Sequence, residues 1–104
     1  MIDDAEKQYV IEVHDYANDM LLSHIRFVAS VSVPAARKLR NTLYNAIKSL
    51  ETMPHRCPVY QTRRAFGSYR RLIIGRYQII FSINDIEGIV LIRYILDSRQ
   101  DIDI

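Results

Sequence analysis

The chain has no tryptophan, three glycines, three prolines and a single cysteine in 104 residues. One cysteine, Cys57, cannot close an internal disulfide. No basic partner at fixed spacing marks it as a nucleophile, so it reads as a partly buried structural thiol. No glycine-rich phosphate loop is present. The three histidines, His14, His24 and His55, lie far apart without ligand spacing, so neither a metal site nor a cofactor is expected. No apolar run is long enough to span a bilayer. The opening MIDDAEKQ is acidic and no apolar segment follows it, which is unlike a secretory signal. The expectation is a cytoplasmic protein that makes no membrane contact.

What is present is apolar content and arginine. About half of the residues are apolar and a quarter charged, the balance of a globular chain. The length suits a single domain over residues 1–104. Net charge is only +2, but it is unevenly placed. Residues 1–55 balance at −1, residues 56–99 at +5, and residues 100–104 at −2. All the positive charge in 56–99 is arginine, whose planar fork matches phosphate and carboxylate where lysine offers a point charge. A solvated basic face with no ligand would show the same composition.

Periodicity gives the elements. Residues 8–13, QYVIEV, are β-branched and aromatic enough for a first strand. Asp15 is a candidate helix N-cap. From Tyr16, Ala17, Leu21, Ile25 and Val28 recur at helical spacing. Pro34 opens a second helix whose stripe is Ala36, Leu39, Leu43, Ala46, Ile47 and Leu50. Met53-Pro54 ends it. Residues 54–68 read as a loop. Strands follow at about 69–74, 76–83 and 89–96, with Gly75-Arg76 as a two-residue turn. The expected fold is α+β: a helical hairpin packed on one face of a small, mainly antiparallel sheet. Tyr77, Ile79, Phe81 and Ile83 should meet the helices, and Gln78, Ile80 and Ser82 should line a more open face.

The order strand, helix hairpin, loop, three-stranded meander resembles the RelE/ParE superfamily of type II toxins. The residues that carry the likeness are Ala17-Asn-Asp19-Met-Leu21 after the first strand, Pro34-Ala-Ala36 and Leu50-Glu-Thr-Met-Pro54 at the ends of the second helix, Tyr69-Arg70-Arg-Leu72, Gly75, Tyr77-Gln-Ile-Ile-Phe81 and Arg99-Gln100-Asp101. They span about residues 8–101. The resemblance implies a growth-arresting toxin neutralised by a cognate antitoxin protein. One branch of the superfamily cleaves mRNA on the ribosome without metal; the other shares the fold and poisons DNA gyrase.

On the residues matching the nuclease pattern, Arg70 and Arg99 fit, and they would be catalytic if the chain were a nuclease. Their expected place is the open sheet face and its C-terminal end. Three positions depart from the pattern. Leu72 cannot bind phosphate, Gln78 carries no charge, and Asp97 would repel phosphate. The family's C-terminal tyrosine has no counterpart. His55, Arg63, Arg64 and Tyr94 are the groups that could compensate, although His55 alone reads as a solvated loop histidine. The reading favoured is ParE-like target binding, of the DNA gyrase type. The alternatives are a ribosome-dependent mRNA interferase and a degenerate toxin that retains only antitoxin binding. Residues expected to contact target or antitoxin are Arg63, Arg64, Arg70, Gln78, Arg93, Tyr94 and Arg99. Tyr69 and Tyr94 could each stack on a base or a partner.

Overall fold

A computed structural model describes residues 7–61 and 68–98. Two helices, α1 (Asp15–Ala29) and α2 (Val33–Ser49), lie over a five-stranded sheet of β1 (Val10–Val13), β2 (Val59–Tyr60), β3 (Tyr69–Ile74), β4 (Tyr77–Asn84) and β5 (Ile89–Asp97). The spatial order is β1-β5-β4-β3-β2. β1 pairs parallel to β5 and every other pair is antiparallel. The α+β architecture expected from periodicity is the one observed.

Local chemistry explains the boundaries. The first helix is capped by His14, not Asp15: its Nδ1 accepts from the Tyr16 N–H at 3.2 Å, and Asp15 sits in the first turn. There its carboxylate still favours the positive end of the helix dipole. Ser32 caps α2, its hydroxyl accepting from the Ala35 N–H, with Pro34 in the first turn. The span 54–68 is not all loop. Pro54–Arg56 form a 3-10 turn and Val59–Tyr60 pair with Tyr69–Arg70 as β2. Two residues are too few to show period-2 alternation, so the sequence pattern hides them. Gly75 sits at φ 58 in the β3–β4 turn, a conformation that suits glycine at the first position of a two-residue hairpin.

The core lies between helices and sheet. Ala17 and Leu21 of α1 and Leu43, Ala46, Ile47 and Leu50 of α2 meet Tyr77, Ile79 and Phe81 of β4 and Val90, Ile92 and Ile95 of β5. Phe81 is the largest of the fully buried side chains. Ile92 and Ile95 both reach this core although they stand three apart, which strict alternation forbids. The pairing resolves it: Ile80 faces Tyr94 while Phe81 faces Ile92, leaving Arg93 as an extra, bulged residue. A bulge re-aims the side chains around it. Here it lets Arg93 and Tyr94 both serve the face opposite the main core.

Candidate functional site: the open face of the sheet

Strand parity decides which arginines this face receives. The two-residue turn sets Ile74 opposite Tyr77, and the register then sets Leu72 opposite Ile79 and Arg70 opposite Phe81. Directly opposed residues share a face. Arg70 therefore leaves β3 on the helix side, with the core residues. This corrects its expected place on the open face. Its guanidinium donates to the backbone carbonyls of Cys57 at 2.6 Å and His55 at 3.1 Å. Arg70 thus holds the segment that leads into β2. Leu72 packs on the core, which explains an apolar residue there without reference to phosphate.

Arg71, which sequence reasoning passed over, is the arginine β3 gives to the open face. It stands opposite Ile80, which in turn stands opposite Tyr94, so the three form one row across β3, β4 and β5. Its guanidinium carbon lies 5.0 Å from the centre of the Tyr60 ring, and one nitrogen donates to the Gln78 side-chain oxygen at 3.3 Å. The Nε of Arg71 is buried without a partner among the described residues. Arg93, on the bulge, lies 5.6 Å from the centre of the Tyr69 ring. Both cations are seated on aromatic faces, a contact that favours guanidinium and holds it in place. Beneath them Ile80, Tyr69 and Leu96 form a small buried cluster with Tyr60, Tyr94 and Met20 of α1 packed around it. Tyr94 also meets Tyr16 of α1 edge-on, with ring centres 6.0 Å apart.

The other expected site residues divide. Gln78 is on the open face, but its amide oxygen is committed to Arg71. Asp97 receives the Arg76 guanidinium, with Nε and one terminal nitrogen 3.1 and 3.0 Å from one carboxylate oxygen. Its charge is therefore balanced locally. Arg63, Arg64 and Arg99 lie outside the described residues.

The open face is electrically two-ended. Arg71 and Arg93 occupy the middle, whereas the β4–β5 turn end carries a hollow of about 270 Å³ lined by Glu12, Ser82, Asn84, Glu87 and Leu91. On the helix side a cleft of about 330 Å³ opens between α1 and the β3–β4 turn, lined by His24, Phe27, Arg76 and Asp97. His24 is tied down there, its Nε2 lying 2.7 Å from the Ile95 carbonyl oxygen.

One further cluster joins three separate segments. Asp85 Oδ1 accepts from the Tyr9 hydroxyl at 2.6 Å, and Oδ2 lies 3.0 Å from His55 Nε2. Lys7 donates to the Asp85 carbonyl at 2.7 Å and stands over the Tyr9 ring. The Tyr9 hydroxyl, helped by His55, holds the Asp85 carboxyl below its usual range. His55 is thus partnered, not merely solvated. Burial pushes the Cys57 thiol up, against the pull of Arg56 and Arg70. That matches its reading as an unreactive structural cysteine. No group of histidine, cysteine and acidic residues among the described residues could hold a metal ion.

Over residues 11–102 the sequence matches the family of the ParE toxin of the type II toxin-antitoxin system, parDE. The chain belongs to the ParE toxin family. No curated protein matches it. Among solved structures it is similar to a chain of the toxin–antitoxin complex RelBE2 from Mycobacterium tuberculosis, at 20% identity over 86% of this chain and 98% of that one, with a TM-score of 0.61. At that identity the likeness is one of fold. This ParE-family chain is therefore a type II toxin of RelE/ParE architecture. No helix of the described residues is long and apolar enough to cross a membrane.

Proposed function

We propose that this toxin arrests growth by binding a protein target of the DNA gyrase type, and that a cognate antitoxin neutralises it. The observation that carries the reading is the make-up of the open face. It offers two guanidiniums seated on tyrosine rings, Arg71 on Tyr60 and Arg93 on Tyr69, and no histidine among its described residues. Metal-free RNA cleavage needs cations at the phosphate together with a positioned base and acid. The histidine–carboxylate pair His55 with Asp85 is tied to the core residue Tyr9 and to Lys7. Rigid cations on aromatic supports suit recognition of an acidic or aromatic protein surface.

A second reading has one observation in its favour. Arg71 supplies the open face with a cation that Leu72 does not, in one row with Ile80 and Tyr94. That row could grip a phosphate and stack a base, as an mRNA interferase would require. Expression of the toxin alone, with a gyrase supercoiling assay and primer extension on cellular mRNA, separates the two. Inhibited supercoiling with uncut messages supports the first reading. Codon-phased cuts with normal supercoiling overturn it.

A further inference from the structure

We propose that the outer edge of β3 accepts an extended, acidic strand from a partner, centred on Ile73. β2 covers only Tyr69 and Arg70 of the six residues of β3, and the Arg71 N–H then reaches the Pro58 carbonyl. Beyond that the neighbouring chain turns away into the 3-10 turn at Pro54–Arg56. In an antiparallel ladder alternate residues turn their N–H and C=O to the same side. Arg71 points outward, so Ile73 does too, and its peptide groups meet no partner among the described residues. Its side chain is also exposed, at 56%. An unpaired strand edge is a template for another strand.

Charge selects the kind of strand. Arg56, Arg70 and Arg71 stand around this edge, and among the described residues each donates only to neutral acceptors. Arg56 donates to the carbonyls of Ser49, Thr52 and Met53 and to the Ser49 hydroxyl, Arg70 to two carbonyls, and Arg71 to an amide. No carboxylate among the described residues pairs with these three guanidiniums. A hollow of about 290 Å³ runs beside the edge between Arg56, Cys57, Arg71 and Ile73. A strand alternating carboxylates with β-branched residues would pair its backbone with Ile73 and set its acids, all on one face, beside Arg71 on the open side, while Arg56 and Arg70 add to the positive potential of the edge. A second copy of this chain fits less well, because a two-fold pairing at Ile73 would bring the arginines of both copies together. The opposite edge, β1, carries Glu12 and so repels the same acidic strand. The inference deepens the partner reading above, on which it rests for the source of the strand and not for the edge itself.

The test uses the full chain, labelled with ¹⁵N, and a capped peptide of about eight alternating glutamates and valines, the length of an ordinary strand. The expected result is slowing of Ile73 amide exchange by about tenfold or more at saturation. Ile73→Pro removes the outward N–H without touching the β3–β4 ladder, and should weaken binding by a similar factor. An otherwise identical peptide with glycine for valine should leave the Ile73 amide unprotected. The proposal is overturned if neither peptide protects that amide at ~1 mM, if both bind alike, or if the free chain already protects Ile73 by dimerising. Co-expression with the product of the adjacent reading frame tests the antitoxin reading separately. A stable complex in which Ile73 still exchanges freely would sink the strand and leave the antitoxin standing.

Discussion

Arg70 and Arg71 are consecutive in the chain and work on opposite sides of the sheet. Arg70 stands across from Phe81 and binds the carbonyls of His55 and Cys57. Arg71 stands across from Ile80 and rests on Tyr60. Loss of each should therefore read out differently. Arg70→Ala leaves two carbonyls without their donor and should cost about 1–3 kcal/mol in urea unfolding. Arg71→Ala should change stability by less than about 1 kcal/mol, since it gives up one long hydrogen bond to the Gln78 amide and its contact with the Tyr60 ring. Equal losses would contradict this division of labour.

Phe81 is fully buried between the sheet and both helices. Phe81→Ala should destabilise the fold by roughly 3–5 kcal/mol, the sum of lost transfer energy and the cavity left behind. Chemical denaturation at neutral pH measures it. A loss below ~1 kcal/mol would mean that the helices do not close on β4 as described.

The Tyr9–Asp85–His55 cluster gives a pH signature. Asp85 has its folded pKa lowered, first by the Tyr9 hydroxyl. A carboxyl whose folded pKa lies below its unfolded value near ~3.9 adds stability above that pH and loses it as pH falls through the folded value. The stability gap between the wild type and Asp85→Asn should be constant near neutrality and shrink below about pH 4. A gap that widens in acid would reverse the assignment. Because more than half of the Asp85 side chain is exposed, solvent screening keeps the effect modest.

Cys57 is 3% exposed, and burial raises its thiol pKa. The native chain should react with iodoacetamide far more slowly than the unfolded chain at pH 8, because the thiolate is the nucleophile. Equal rates would place Cys57 at the surface.

Much of this was legible in the sequence. The helical stripes, the Gly75-Arg76 turn and the inward set Tyr77, Ile79 and Phe81 are periodic, and periodicity is what a sequence displays openly. The face of Arg70 was legible too. A two-residue turn with Phe81 inward forces Arg70 inward by parity, and analogy to a family pattern obscured that arithmetic. Other features had no local signal. β2 is too short to alternate. The bulge at Arg93 arises because Ile92 and Ile95 must both reach the core, a tertiary demand that no local spacing announces. The pairing of His55 with Asp85 joins positions thirty residues apart. His14 in place of Asp15 as the cap is a one-residue shift, within the usual ambiguity of helix ends.

The central claim is that the guanidiniums of Arg71 and Arg93 on the open face carry the toxin's action on a gyrase-type target. The most direct measurement is the growth curve of cells expressing Arg71→Ala/Arg93→Ala, paired with a supercoiling assay on the purified, folded variant. The account predicts that growth arrest is lost and that supercoiling inhibition falls by about tenfold or more, while the unfolding midpoint stays close to that of the wild type. A folded double variant that still arrests growth as fully as the wild type would contradict it.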